Sequence, residues 1–383
     1  MKILFANRNN CFSRRGGDTV QMEKIKEFLE KIYPDTEIKY ALSSEEIKEN
    51  TDSEIVHIFN ITNSKETKNF VKTAKETGKK VVLTPIYCNS VDSIFVTYMN
   101  FINIFGLNLP GILKKSAIII FNYLIILMSP FIERCRNYSK NGLYLFPKNK
   151  KYGKYILENS DAIMPNSDKE KKDIEDYYNC KISEKSQIIP NATDLISFQN
   201  TETNLEFTLP DNFILEAGRI EIMKNQLNLV KALKNNPEIP IVFVGKNFGD
   251  KYYHTLKKYA EKRGNVFIFD EIPHEKMAEL YKKAKVHVLP SFIETTGLVT
   301  LEALINDVQI VTSDEKYCPI QYYHFDEFGF QCNPYDIKSI KKAILEAYNN
   351  PKQTKPNEDY KNFFCYENVA KMIYEIYLKI LEK

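Results

Sequence analysis

Two glutamates, Glu294 and Glu302, lie eight positions apart in the stretch LPSFIETTGLVTLEAL, Leu289 to Leu304, with Thr-Thr-Gly between them. The apolar run Val286 to Leu289 reads as a short buried strand closed by Pro290 and Ser291. Beyond Gly297, the residues Leu298, Leu301, Ala303 and Leu304 recur at helical spacing, so a helix is predicted to begin near Gly297 or Leu298. Glu294 then falls in the loop, and Glu302 about one turn into the helix. Backbone N–H groups at a helix N-terminus carry partial positive charge and attract phosphate. A carboxylate on either side of such an anion site suits a ligand whose hydroxyls flank a diphosphate.

A second set of charges lies upstream in ILEAGRIEIMKNQLNLVKAL. A strand, Gly218, then Arg219 and Lys224 just before a helix put two cations at the carboxyl end of a strand, where ligands bind in open α/β sheets. Arginine offers a planar fork and lysine a point charge, and both suit phosphate oxygens. Alone, the pair reads first as a solvated basic surface; the glutamate stretch downstream argues for a site.

The elements needed to position these residues are legible as alternation. KILFAN, a helix over 18–32, EIVHIFN, a helix over 65–77 and KKVVLTPI come first, followed by DAIMPN, a helix over 168–178 and SQIIPN. The polar stretch 199–212 reads as a linker. The pattern restarts with FILEAG, a helix over 225–234, PIVFVG, a helix over 251–263, VFIFD, a helix over 275–284, VHVLP, the helix after Gly297 and VQIVTSD. Short apolar runs separated by helices predict α/β architecture with parallel, doubly wound sheets. The economical reading is two Rossmann-like domains facing each other across a cleft, 1–198 and 213–350, with a C-terminal helix in 351–383 packing back toward the first.

A chain of 383 residues suits two domains of ordinary size, and 43% hydrophobic with 27% charged residues excludes a disordered polymer. Seven scattered cysteines with no C-x-x-C pair argue against a zinc site or disulfide framework and for a reducing compartment. The N-terminus MKILFANRNN turns polar too soon for a secretory signal, so a cytoplasmic location is expected. The net charge of +3 is local in origin: 111–154 holds nine basic residues and one acidic residue, Glu133. The apolar run inside this window points to a membrane surface rather than to a nucleic-acid platform. That run, 117–128, is about 18 Å long as a helix, too short to span roughly 30 Å of hydrocarbon. A buried helix and a helix lying in an anionic membrane interface are both open readings, the latter peripheral on the inner face of the membrane.

The set GRIEIMKNQ, PSFIETTGLVTLEAL, IIPNATDLISF and the early GGDTVQM resembles the retaining glycosyltransferases of family 4, which have the GT-B fold. The resemblance runs over about residues 1–350 and is strongest over 214–314, where its E-x7-E element is the most specific part. It implies that Arg219, Lys224 and Glu294 form the catalytic set. The two cations neutralise the donor diphosphate, while Glu294, with N–H groups near Thr295, Thr296 and Gly297, faces the donor sugar. It further implies that the N–H groups of Leu298 and Val299 meet the distal phosphate, beside Gly218. Glu302 takes the ribose hydroxyls, and the base lies near Glu271, Ile272 and Pro273. Gly16 and Gly17 let the first strand's loop approach the phosphate without a Cβ in the way.

Physical chemistry supports these assignments, because charge develops on the departing phosphate and preorganised cations stabilise it. Each residue also has a bland reading: Glu302 as an exposed helix glutamate, Glu294 as a loop charge, Gly16-Gly17 as an ordinary turn. Three departures stand out. ETTG replaces the frequent EGFG, TPIYCNS offers Tyr87 and Asn89 where many members have a histidine, and Ala192 replaces a common glycine. Acceptor activation is therefore unassigned, unless the leaving phosphate itself takes the acceptor proton.

No metal or other cofactor is expected. His57 and His287 fall on strands, His254, His274 and His324 show no ligand spacing, and the chain has no D-x-D. The expected partners are a nucleoside-diphosphate sugar and a saccharide or lipid-linked acceptor. The rival readings are a sugar-nucleotide epimerase of the same fold and a catalytically silent binding protein.

Overall fold

The computed structural model describes residues 1–13, 15–88, 147–193, 208–273 and 276–382. The basic apolar segment 111–154 lies outside the described residues except for 147–154, as do 199–207 of the expected linker, Asn89 and His274.

Two parallel sheets organise the chain. The first has the order β2-β1-β3-β4-β5, with β1 Lys2–Ala6, β2 Glu37–Ala41, β3 Ile55–Phe59, β4 Lys80–Thr84 and β5 Ala162–Ile163. The second has the order β11-β10-β9-β6-β7-β8, with β6 Ile214–Ala217, β7 Ile241–Val244, β8 Val266–Phe269, β9 Val286–Leu289, β10 Gln309–Ser313 and β11 Phe330–Cys332. Helices cover both faces, which is why IVHIF, IVFV and VHVL are buried throughout rather than alternating. Successive side chains still go to opposite faces. Ile3 and Phe5 pack under the helix Gly17–Ile32, and Leu4 and Ala6 under the helix Ser64–Glu76.

The chain returns to the first sheet at its end. The helix Tyr366–Leu381 lies beside the helix Gly17–Ile32, with Tyr374 stacked on Tyr33 at 3.6 Å and Tyr377 Oη 2.6 Å from His57 Nδ1. The return passes close to the outgoing chain, where the Thr193 N–H donates to the Phe364 carbonyl (3.0 Å).

One local expectation differs from what is seen, and two strands were not expected. SQIIPN pairs only through an isolated bridge of Ser186 with Ile163 and extends no further as a strand. Strands β2 and β11 escaped the apolar-run reading because EIKYA carries two charges and FQC is too short to show a period.

The strand order decides where a ligand can sit. In the second sheet the chain runs from β6 outward through β7 and β8, then crosses back to place β9 on the other side of β6. The loops after β6 and β9 therefore diverge above a gap at the carboxyl edge, the topological switch point where open α/β sheets bind ligands. Those two loops carry Gly218–Lys224 and Pro290–Gly297.

Candidate functional site

Lys224 and Glu294, separated by 70 positions, meet at this switch point. Lys224 ends a short 3₁₀ turn, Ile222–Lys224, and its Nζ lies 2.6 Å from Glu294 Oε1, with the side chains 16% and 9% exposed. The turn is set by Asn225, a buried residue in the left-handed region (φ 68°), whose amide donates to the carbonyls of Pro290 and Pro334 (both 2.9 Å). One asparagine thus joins the loop after β6 to the loop after β9. Phe292 N–H donates to the Met223 carbonyl (2.9 Å), and Glu294 N–H to that of Tyr317 (2.8 Å), which fixes the loop carrying the carboxylate.

Gly218 has φ +140°, and its Cβ position lies 3.7 Å from Lys224 Cε, so the lysine chain passes over the end of β6. Gly245, after β7, approaches Gly218 so closely that a Cβ would fall 2.0 Å from the Gly218 carbonyl oxygen. The two strand ends are then zipped by Ile220 N–H to the Lys246 carbonyl (2.9 Å) and Phe248 N–H to the Ile220 carbonyl (3.1 Å). Arg219 makes its contacts on this zipped rim. Its guanidinium lies over the Phe248 ring (5.3 Å) and 2.8 Å from Glu221 Oε1.

Gly297, with φ +77°, opens the helix Leu298–Ile305, so the start predicted from leucine spacing coincides with the observed one. The N–H groups of Leu298 and Val299 have no helical carbonyl one turn before them. The first domain faces this terminus: Gly17 begins the helix Gly17–Ile32, and its Cβ position lies 3.7 Å from Leu298 Cδ1. Gly16 is extended at φ −138°, and a Cβ there would come 2.8 Å from Asp18 Oδ1, which Arg8 holds at 3.2 Å.

The remaining expected residues are Glu302, Glu271, Ile272, Pro273, Thr295 and Thr296. Glu302 receives Tyr281 Oη at 3.0 Å. Glu271, Ile272 and Pro273 follow β8, with Glu271 N–H donating to Asp270 Oδ1 (2.8 Å). Thr295 is half-buried and Thr296 buried. Ala192 is also buried, clasped by Gln21, which accepts its N–H (3.3 Å) and donates to its carbonyl (3.0 Å).

Several groups near the cleft were not singled out from sequence. Glu216, on β6, is 1% exposed, and neither carboxyl oxygen has a hydrogen-bond partner. Burial pushes its carboxyl well above the usual carboxylate range, with Lys224 opposing and Glu294 adding to the shift. An acid inside the apolar run FILEAG was the available signal. Glu170 is buried and receives the N–H groups of Tyr87 and Asn166 (both 2.5 Å); burial raises its carboxyl to about 7 despite those bonds. Burial drives the Cys88 thiol up to about 12, and Glu294 and Glu170 add to it. His287 and His57 are fully buried, and desolvation lowers both to about 3. Among the described residues no three His, Cys, Asp or Glu side chains converge as a metal set.

Residues 198–363 match the family model described as glycosyl transferases group 1. The chain is 28% identical over 214 residues to the Campylobacter jejuni N-acetylgalactosamine-N,N'-diacetylbacillosaminyl-diphospho-undecaprenol 4-alpha-N-acetylgalactosaminyltransferase, covering 52% of this chain and 56% of that protein. It is 28% identical over 176 residues to a D-inositol 3-phosphate glycosyltransferase of Paenarthrobacter aurescens, covering 42% of each. The matches thus span about half the length of these relatives. Among solved structures, the sucrose-phosphate synthase of Thermosynechococcus elongatus superposes with a TM-score of 0.71 at 15% identity, covering 100% of this chain and 99% of that one. An Anabaena HepE complex with UDP and glucose superposes at 0.62 and 13% identity, covering 100% and 98%. The fold is GT-B, two Rossmann-like domains across a cleft, as the sequence resemblance implied.

Proposed function

We propose that this GT-B chain is a retaining glycosyltransferase that moves a sugar from a nucleoside diphosphate to a saccharide or lipid-linked acceptor. One observation carries the reading. At the β6/β9 switch point an ammonium and a carboxylate meet beside a helix N-terminus, and a glycine of the opposite domain closes over it. A lysine ammonium has three donors. One is used by Glu294, so two are available to diphosphate oxygens, and in this reading the carboxylate lies next to the bond that breaks. Arg219 and the N–H groups of Leu298 and Val299 add positive potential where the leaving phosphate gains charge. Glu302, already oriented by Tyr281, accepts from vicinal ribose hydroxyls, and the base lies along Glu271–Pro273. The leaving phosphate takes the acceptor proton, which needs no histidine base, and the buried His57 and His287 stay neutral. With cations of its own, the site requires no metal.

The relative from Campylobacter is named for an undecaprenol-diphosphate acceptor, and one from Escherichia coli as an O-antigen chain mannosyltransferase. By analogy the acceptor here is a growing cell-surface glycan on a lipid carrier, and the enzyme works in the cytoplasm against the inner face of the membrane. No helix among the described residues is long and apolar enough to cross a membrane. Contact is proposed through 111–154, and salt-sensitive binding to anionic liposomes tests it.

The test of function is a thermal-shift screen of nucleoside diphosphates, followed by product analysis with the matching labelled sugar nucleotide with and without acceptor. A raised melting temperature and acceptor-dependent transfer with retained configuration are expected. An epimerised donor, or no response to any nucleoside diphosphate, overturns the reading.

A further inference from the structure

The loop from Glu294 to Gly297 is bonded to the opposite domain. Thr296, 1% exposed, accepts from Asn191 Nδ2 at 2.7 Å, and the same hydroxyl lies 3.3 Å from Tyr323 Oη. Tyr323 Oη donates to the Asn166 carbonyl (3.1 Å) and accepts the Asn191 N–H (3.1 Å). Because Tyr323 commits its one proton to Asn166, the Thr296 hydroxyl is the donor to Tyr323. The bonds therefore run in one direction, from Asn191 through Thr296 and Tyr323 to Asn166, and each polarises the next in a buried setting.

Both ends of this chain are anchored in the first domain. The backbone at Ala192 is clasped by Gln21, on the same helix that begins at Gly17. The Asn166 N–H is held by Glu170 at 2.5 Å. Thr296 belongs to the second domain, two positions from Glu294 and two from Leu298. Gly17 against Leu298 and Asn191 against Thr296 are thus two contact points between the same two domains. Domains joined by polar interfaces move relative to one another by default. A directed bond at a loop tip therefore sets how often the two halves of the site are assembled. The frequent family pattern at 295–296, Gly-Phe, has no hydroxyl to offer.

We infer that Thr296 and Asn191 form a latch across the cleft that positions Glu294 and the Leu298 helix terminus against the first-domain loop at Gly17. They are positioning residues for the reaction proposed above, and the role rests on that reading.

The test uses the full chain as Thr296→Val, Thr296→Ser, Asn191→Ala and the Thr296→Val/Asn191→Ala double variant. One readout is the kcat and KM of sugar transfer, alongside the Kd of the nucleoside diphosphate. The other is amide hydrogen exchange at Asn191, which needs no substrate. Thr296→Val is expected to lower kcat by about tenfold, the scale of one lost hydrogen bond, and to leave the Kd within about twofold. It should also speed exchange at Asn191, Thr296→Ser should restore both, and the double variant should be no worse than the poorer single one. Parental kcat and exchange in Thr296→Val overturn the latch. So does a loss that merely tracks melting temperature and is not rescued by serine. A parent protein that binds no nucleoside diphosphate, while Thr296→Val still speeds exchange, sinks the transfer reading and leaves the latch as a domain contact.

Discussion

Replacing Lys224 by alanine removes a charge with two separable roles, one in folding and one in the transition state. Its ammonium is 2.6 Å from Glu294 Oε1, with side chains 16% and 9% exposed. Exposed ion pairs contribute about 0–1 kcal/mol, whereas removing one partner of a buried pair costs about 3–5 kcal/mol because the other charge is stranded. A pair of intermediate burial falls between these limits, so a loss of about 2 kcal/mol is expected. For a domain of this size that lowers the Tm by about 4–8 °C. The stranded charge is that of Glu294, the carboxylate that Lys224 pairs with. Turnover is expected to fall by about 10²-fold or more, the scale of losing one charge-stabilising donor. The assay is transfer from a labelled sugar nucleotide together with thermal melts, on Lys224→Ala and on Lys224→Ala/Glu294→Gln. Neutralising Glu294 should recover most of the lost stability without recovering turnover. A Lys224→Ala protein that melts with the parent and keeps turnover within about tenfold would refute both parts of the reasoning. If the second substitution restores no stability, the loss does not come from the broken ion pair.

Glu302→Ala should raise the donor KM more than it lowers kcat, because ribose hydrogen bonds are present before and during reaction; steady-state kinetics showing the reverse would move Glu302 to the reacting centre. Glu170 predicts a pH dependence of stability. Its folded value is raised from 4.5 to about 7, so its favourable contribution is complete below the unfolded value and is lost as pH rises through about 7. Denaturant melts of the parent should lose about 3 kcal/mol from this group between pH 4.5 and 7.5, and Glu170→Gln should flatten that slope; an unchanged slope counts against the buried acid. Gly245→Ala places a Cβ 2.0 Å from the Gly218 carbonyl oxygen, a backbone atom that cannot rotate away. A loss of about 3 kcal/mol is expected from combined strain and overpacking, and a parental melting curve would show that the two loops are not pressed together.

The alternation of apolar runs and helical spacing was enough to read two parallel α/β units, because a strand buried on both faces must be apolar along its length. Leucine spacing after Gly297 located the start of the helix Leu298–Ile305, and the Gly-Phe position filled by threonines was visible as a departure. Residue type and spacing nominated Lys224, Glu294 and Glu302 as candidates, since cations near a strand end and carboxylates around a helix terminus suit a diphosphate flanked by hydroxyls. Strand order is not a local property. That β9 returns beside β6 decides that Lys224 meets Glu294, and no periodicity records which strands become neighbours. Nor does any spacing place Asn191 at Thr296 or Tyr281 at Glu302, contacts across 105 and 21 positions. Arg219 shows the difference most plainly. Its place near Lys224 at a strand end is legible in the sequence, whereas the contacts of its guanidinium with Glu221 and Phe248 are set by the fold. Side-chain chemistry and periodicity travel with the chain, whereas the partner of each charge depends on which loops the sheet brings within hydrogen-bond reach.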